Sequence, residues 1–200
     1  MRIVILTAAD SLPSKDFSTM LSYKGFNQAD KLVSILHGIN PDVIYASPFL
    51  RSLQTIYPFC NSYKRKLNTE CSLYPLERFD AKESYINPAI SEHYNFFSYI
   101  FDIVDDRYHS RVFPNNILRN ESSRDIGNRI FPFLYDIKKQ YCKSDKTILL
   151  VTHADICPYM LDYLNVHHGD VMDGSLYLLN YRPNRHHDRK HTAVSKLVLQ

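Results

Sequence analysis

Three stretches of this sequence are apolar from end to end: Ile3-Val4-Ile5-Leu6, Val43-Ile44-Tyr45-Ala46 and Ile148-Leu149-Leu150-Val151. A strand with one face in water alternates apolar and polar residues; these do not, so both of their faces must be covered. They read as central parallel strands, which in turn require helices on both sides of the sheet.

The segments between them supply those helices. Phe26, Ala29, Leu32, Val33 and Leu36 recur near the helical period, and the pattern closes at Gly38 and Asn40-Pro41. After the second strand, Ser47-Pro48 reads as an N-cap followed by proline in the first turn, with Leu50, Leu53, Ile56 and Tyr57 on the buried face. The longest helical pattern is Ser123 to Tyr141, with Ile126, Ile130, Phe133, Leu134, Ile137 and Tyr141 on one side. Ser122 to Asp125 can form a capping box, and Pro132 predicts a kink. Asp155 to Leu164 reads as a shorter helix, and Ser175 to Tyr181 and Ala193 to Leu199 as edge strands. The expected fold is three-layer α/β/α around a mostly parallel, doubly wound sheet, in one domain spanning residues 1–200. Residues 80–120 interrupt the pattern; rich in aromatics, they are expected to form a cap-like helical excursion over the strand C-terminal ends.

Bulk properties narrow the function classes. The chain has 200 residues, 44% of them apolar, enough for a domain core. Its opening apolar run is far shorter than the ~20 residues that span a bilayer, so a cytoplasmic protein without membrane association is expected. Four cysteines lack any C-x-x-C pair, which favours free thiols. A net charge of +3 suits small anions, without the concentrated basic face of a nucleic-acid binder. The densest basic stretch, Arg182 to His191, reads as a solvated hairpin loop, and its histidines lack a metal-ligand spacing. Five unclustered glycines exclude a P-loop and a dinucleotide fingerprint. Neither a cofactor nor a metal is expected.

Ligands of open α/β sheets bind beyond the carboxyl ends of the strands. The residues there are Thr7-Ala8-Ala9-Asp10, Ser47-Pro48-Phe49-Leu50-Arg51 and Thr152-His153-Ala154-Asp155, joined by Leu76-Glu77-Arg78-Phe79. An arginine in a first helical turn, a strand-end histidine and a carboxyl group are suitable parts for holding a phosphate and protonating a leaving oxygen. Each alone is a weak signal, since a lone strand-end histidine is more often structural. The strand ends also resemble each other: Ile3 to Pro13 aligns without gaps to Ile148 to Pro158, sharing Ile, Thr, Ala, Asp and Pro, with Ala8 opposite His153.

The order of these pieces is more specific. Leu21 to Ala29, the S-P-x-x-R-x-x-Q-T segment Ser47 to Thr55, Leu76 to Phe79, Glu121-Ser122 with Arg129, and Val151-Thr152-His153 together resemble the histidine phosphatase, or phosphoglycerate mutase-like, superfamily over nearly the whole chain. The resemblance implies a pocket in which Arg51, His153 and Ala154 bind phosphate, with Glu77 as the acid and His153 as the second histidine. It also implies that the family's Arg-His-Gly falls on Thr7-Ala8-Ala9, so Ala8 stands where the phosphate-accepting histidine belongs and Thr7 replaces an arginine.

The expected function is therefore a catalytically impaired histidine-phosphatase-like protein that keeps part of a phosphate pocket. Its partners would be phosphate, a phosphorylated metabolite or a phosphorylated protein segment, and a homo-oligomer is compatible with the sequence. Two alternatives stand beside it. One is an active phosphomonoesterase or phosphomutase with an unusual nucleophile, for which Thr7, Asp10 and His153 are the candidates. The other is a scaffold with a relic pocket, meeting its partner through residues 80–120 or the basic loop.

Overall fold

The computed structural model describes residues 1–13, 17–76, 102–113, 120–181 and 192–199. Six strands form one sheet: β1 (Arg2–Thr7), β2 (Val43–Ala46), β3 (Asn68–Thr69), β4 (Thr147–Thr152), β5 (Ser175–Asn180) and β6 (Thr192–Val198), in the order β3-β2-β4-β1-β5-β6. The β1/β4, β2/β4 and β2/β3 pairs are parallel; β5 and β6 add to the sheet antiparallel. The three wholly apolar runs occupy interior positions, as their lack of alternation requires.

Helices α1 (Tyr23–Ile39) and α2 (Leu50–Tyr63) cover one face, and α3 (Ser123–Tyr141) and α4 (Cys157–Tyr163) the other. The alternation of strand side chains divides the core in two. Val4, Leu6, Ile44, Ala46, Leu149 and Val151 pack with Leu32, Leu36, Leu53 and Ile56. Ile3, Ile5, Tyr45, Ile148 and Leu150 turn the other way, onto Ile126, Ile130, Phe133, Met160 and Leu161. Each strand residue thus contributes to one of two cores, the physical content of a three-layer fold.

Several local expectations change. Phe26 is exposed; α1 buries Gly25, Gln28, Ala29, Leu32 and Leu36, and ends at Asn40 in the left-handed conformation, two residues beyond Gly38. Gly25 has a steric role, because a Cβ there would lie 1.9 Å from the Asp10 carbonyl oxygen. α2 starts later than its Ser47-Pro48 signature predicts: Phe49 is its N-cap, without a side-chain cap bond, and Tyr57 is only half-buried. In α3 the Ser122/Asp125 capping box forms, and the helix continues through Pro132. α4 begins at Cys157 rather than Asp155. Of the two expected edge strands only β6 is one; β5 lies between β1 and β6, and the opposite edge is the two-residue β3.

Of the expected excursion, residues 102–113 are turns joined to the sheet edge by a Leu67/Val104 bridge. Glu70 anchors them. Buried, it accepts hydrogen bonds from Tyr108 Oη (2.6 Å), Ser110 Oγ (3.0 Å) and Arg111 N (3.0 Å). The remainder of that excursion and the basic loop lie outside the described residues. All four cysteines are free thiols. Among the described residues, no helix is long and apolar enough to cross a membrane, and no cluster of His, Cys, Asp and Glu could hold a metal ion.

Candidate functional site

His153 follows the last residue of β4 and is 4% exposed. Its ring is fixed from three sides. Arg51 Nε donates to Nδ1 at 3.2 Å, Nε2 lies 2.8 Å from Ser47 Oγ and 3.3 Å from Ser52 Oγ, and Phe49 packs edge-on at 5.4 Å. A nitrogen that accepts from a guanidinium carries no proton, so the hydrogen sits on Nε2 and points to Ser47. Burial, with the Arg51 and Arg129 charges adding to it, holds the imidazole pKa well below its ordinary value. His153 is therefore the neutral Nε2–H tautomer at neutral pH. The helix-capping reading of Ser47 fails for a related reason: its oxygen serves His153 and, at 3.4 Å, the Phe49 amide.

A cavity of about 270 Å³ opens beside this cluster, lined by Ser11, Arg51, Pro75, Leu76, His153, Ala154, Asp155 and Asp173. The sequence-derived residues Arg51, His153 and Ala154 thus meet on one wall, whereas Glu77 lies outside the described residues. Asp155 belongs to the strand-end group named from the sequence, although no role was assigned to it; Asp173 was not among the expected site residues. Asp155 Oδ2 accepts from the Leu76 amide at 2.9 Å, and desolvation in the concavity raises its pKa. The pKa of Asp173 also rises, first by desolvation and then by the charges of Asp10 and Asp155, while Arg51 opposes the shift. Asp155 lies two residues beyond His153, where the strand-end rule looks. Asp173 sits in a turn before an antiparallel strand, where the strand-end rule does not look.

The β1 end abuts this site without opening into it. Parallel pairing runs to Thr7/Thr152, and the Ala8 amide donates to the Thr152 carbonyl at 2.7 Å, which sets Ala8 level with His153. Thr7, Ala8 and Ala9 are all buried. Thr7 Oγ1 donates to Met172 O at 2.8 Å and accepts from Ser175 N at 2.8 Å, so its hydroxyl is committed to a neighbouring turn. The Asp10 carboxylate accepts from Ser22 Oγ at the start of α1. The loop amides are occupied as well: Ala9 N donates to Thr55 Oγ1 and Asp10 N to Gln28 Oε1, both at 2.9 Å. Two residues of the S-P-x-x-R-x-x-Q-T segment thereby hold the first loop, since Gln54 Oε1 also accepts from Leu21 N at 2.9 Å.

Behind the site, Arg129 and Glu121 form a buried two-pronged ion pair with both contacts at 2.6 Å, and Arg129 Nη1 donates to Ser72 O at 2.7 Å. This pair supports the turn leading into Pro75 and Leu76 of the cavity wall. Such a pair is structurally committed, because removing either partner strands a charge in the interior.

The fold is shared with several solved structures. An ecdysone phosphate phosphatase from Bombix mori, solved with tungstate, superposes with a TM-score of 0.63 at 13% identity over 90% of this chain and 88% of that chain. A mycobacterial glucosyl-3-phosphoglycerate phosphatase in complex with inorganic phosphate gives 0.60 at 16% identity, over 90% and 89% of the two chains. An Escherichia coli K-12 protein assigned as an alpha-ribazole-5'-P phosphatase gives 0.64 at 16% identity, over 100% and 96%. At these identities the likeness is one of fold. No curated protein sequence matches the chain. The model of the histidine phosphatase superfamily (branch 1) matches residues 14–187, and on that match the chain belongs to the histidine phosphatase superfamily.

Proposed function

We propose that this protein binds a phosphoryl-bearing ligand, a small phosphorylated metabolite or a phosphorylated protein segment, in the cavity beside Arg51 and His153, without turnover through a phosphohistidine. The observation that carries the reading is the strand register: Ala8 stands level with His153, at the place the family resemblance gives to the phosphate-accepting histidine. A methyl group cannot accept a phosphoryl group. In another covalent enzyme class, loss of the nucleophile costs on the order of 10⁴ to 10⁶ in rate, and uncatalysed phosphate-monoester hydrolysis is among the slowest reactions known.

Thr7 is a poor substitute, since both of its bonding capacities are taken by the turn at Met172 to Ser175. Arg51 supplies the guanidinium fork suited to phosphate oxygens, and Ser11 adds a hydroxyl to the same cavity. A second reading, a working phosphomonoesterase, draws on Asp155 and Asp173. Their raised pKa values bring a proton-donating carboxyl group closer to neutral pH beside Arg51.

One experiment separates the two. Purified protein is assayed with p-nitrophenyl phosphate and titrated with inorganic phosphate by calorimetry, alongside Arg51→Gln and His153→Ala. The proposal expects no turnover above buffer, and phosphate binding that is lost in Arg51→Gln. Turnover that disappears in His153→Ala would establish the phosphomonoesterase instead; turnover that survives it marks a contaminant. Wild-type protein that binds neither inorganic phosphate nor a phosphate monoester ends the binding proposal.

A further inference from the structure

Two of the three residues on which the family's Arg-His-Gly would fall also hold a carboxyl group at the cavity. Asp173 lies in the turn between α4 and β5, and Thr7 and Ala8 bind that turn on both sides of it. Thr7 Oγ1 donates to Met172 O and accepts from Ser175 N, each at 2.8 Å, and Gly174 N donates to Ala8 O at 2.9 Å. Gly174 takes the left-handed conformation, φ 71°, and its carbonyl accepts from Leu199 N at 3.1 Å. The backbone on either side of Asp173 is thus fixed while its side chain reaches the cavity wall shared with Arg51 and Asp155.

The charge inventory of that wall is unusual for a phosphate site. Among the described lining residues one guanidinium, Arg51, accompanies two carboxyl groups, Asp155 and Asp173, and His153 is neutral. Asp155 is partly satisfied by the Leu76 amide, whereas among the described residues Asp173 accepts no hydrogen bond. A bare phosphate dianion placed at Arg51 would meet Asp173 as a like charge. A ligand that also carries an ammonium group would turn the same carboxylate into a charge-assisted acceptor.

We infer that Asp173, positioned by Thr7 and Ala8, selects for a zwitterionic ligand: a phosphoryl group for Arg51 with a cationic amine within reach of the Asp173 carboxylate. This rests on the phosphate-pocket reading above and adds the ligand class to it. Thr7 thus contributes no charge of its own to the site and instead holds the turn that carries the Asp173 carboxylate.

The test is calorimetric titration of wild type, Asp173→Asn, Thr7→Val and Arg51→Gln with inorganic phosphate and with O-phosphoethanolamine. Wild type should bind O-phosphoethanolamine about tenfold more tightly than phosphate, the equivalent of roughly one unlike-charge contact. Asp173→Asn should erase that preference by tightening phosphate and weakening the amine ester, and Thr7→Val should reduce it. Asp173 is exposed and the amide is isosteric, so loss of fold is not expected; matching circular dichroism checks this, and Asp173→Ser repeats the reading with a smaller side chain. Equal affinities in wild type, or a preference that survives Asp173→Asn, overturn the inference. If phosphate binds and Arg51→Gln abolishes it while no amine preference exists, only the zwitterion assignment falls. If neither ligand binds wild type or Asp173→Asn, the pocket reading falls with it.

Discussion

The ends of β1 and β4 are neighbours in the sheet, pair in register, and share much of their sequence, yet they do different work. Thr7 and Thr152 occupy equivalent positions, and each uses its hydroxyl to tie down the backbone of an adjoining segment: Thr7 the turn at Met172 to Ser175, Thr152 the Leu73 carbonyl at 3.1 Å. One step further the ends diverge. At β4 the next residue is His153, clamped by Arg51 and Ser47 on the cavity wall; at β1 it is Ala8, a buried methyl group whose only polar contacts are those of its backbone. The difference teaches that two strand ends of like sequence can be put to different structural uses. The Thr7 hydroxyl, the Ala8, Ala9 and Asp10 amides and the Ala8 carbonyl are all engaged, and the β1 end serves as a structural support for the turn that carries Asp173.

Placing at position 7 the arginine that the family resemblance implies gives the largest expected effect. Thr7 is fully buried and its oxygen makes two short hydrogen bonds, so Thr7→Arg must overpack the strand end, bury a charge and strand the Ser175 amide together. The expected cost is about 4 kcal/mol, from overpacking of roughly 1–3 and unsatisfied buried groups of roughly 1–3. Urea unfolding measures it. Should Thr7→Arg prove as stable as wild type, the β1 end would be a vacant catalytic loop after all, and the triple change Thr7→Arg, Ala8→His, Ala9→Gly would become a fair route to regained turnover.

Removing the hydroxyls alone sharpens the comparison. Thr7→Val loses one donated and one accepted bond and should cost about 2 kcal/mol, while Thr152→Val loses a single donated bond and should cost about 1 kcal/mol. The two variants keep side-chain shape, so unequal losses in this order report the bonding and not the packing. Equal losses would mean that the two ends support the fold alike.

How much of this was legible in the sequence depended on the range of the contacts involved. The interior strands could be read because Ile3 to Leu6, Val43 to Ala46 and Ile148 to Val151 carry their burial in local composition. The meeting of Arg51 with His153 could be read because both follow such strands. The start of α2 could not: Ser47-Pro48 has the residues of a helix start, and only the arrival of His153, 106 positions away, diverts the serine oxygen. Phe26 fits the helical period, but nothing packs over its part of α1 closely enough to bury it. Asp173 was illegible for the same reason as Ser47, since its turn is fixed by a threonine 165 positions earlier. Glu77, named with the strand-end groups and given its role as the acid by the family resemblance, lies outside the described residues.

The smallest expected effect separates the two ends by titration. His153 is held below its ordinary pKa by burial, then by Arg51 and Arg129, so the unfolded chain takes up a proton at a pH where the folded chain refuses it. The sign follows directly. Stability from this group is fully present above the unfolded value of about 6.5 and declines as pH falls below it, by at most about 1.4 kcal/mol per pH unit, until the folded histidine protonates as well. Ala8, its counterpart on β1, contributes nothing. Asp155 and Asp173 act in the opposite sense, because carboxyl groups with raised pKa values favour the folded state as they take up protons. The measurement is therefore a difference: unfolding free energies of wild type and His153→Gln between about pH 7 and about pH 5.5. Wild type should lose about 1 kcal/mol more than the variant over that interval. Parallel pH profiles would show that His153 takes up its proton inside the fold as readily as in the unfolded chain, which would give the β4 end a positive charge below about pH 6.5.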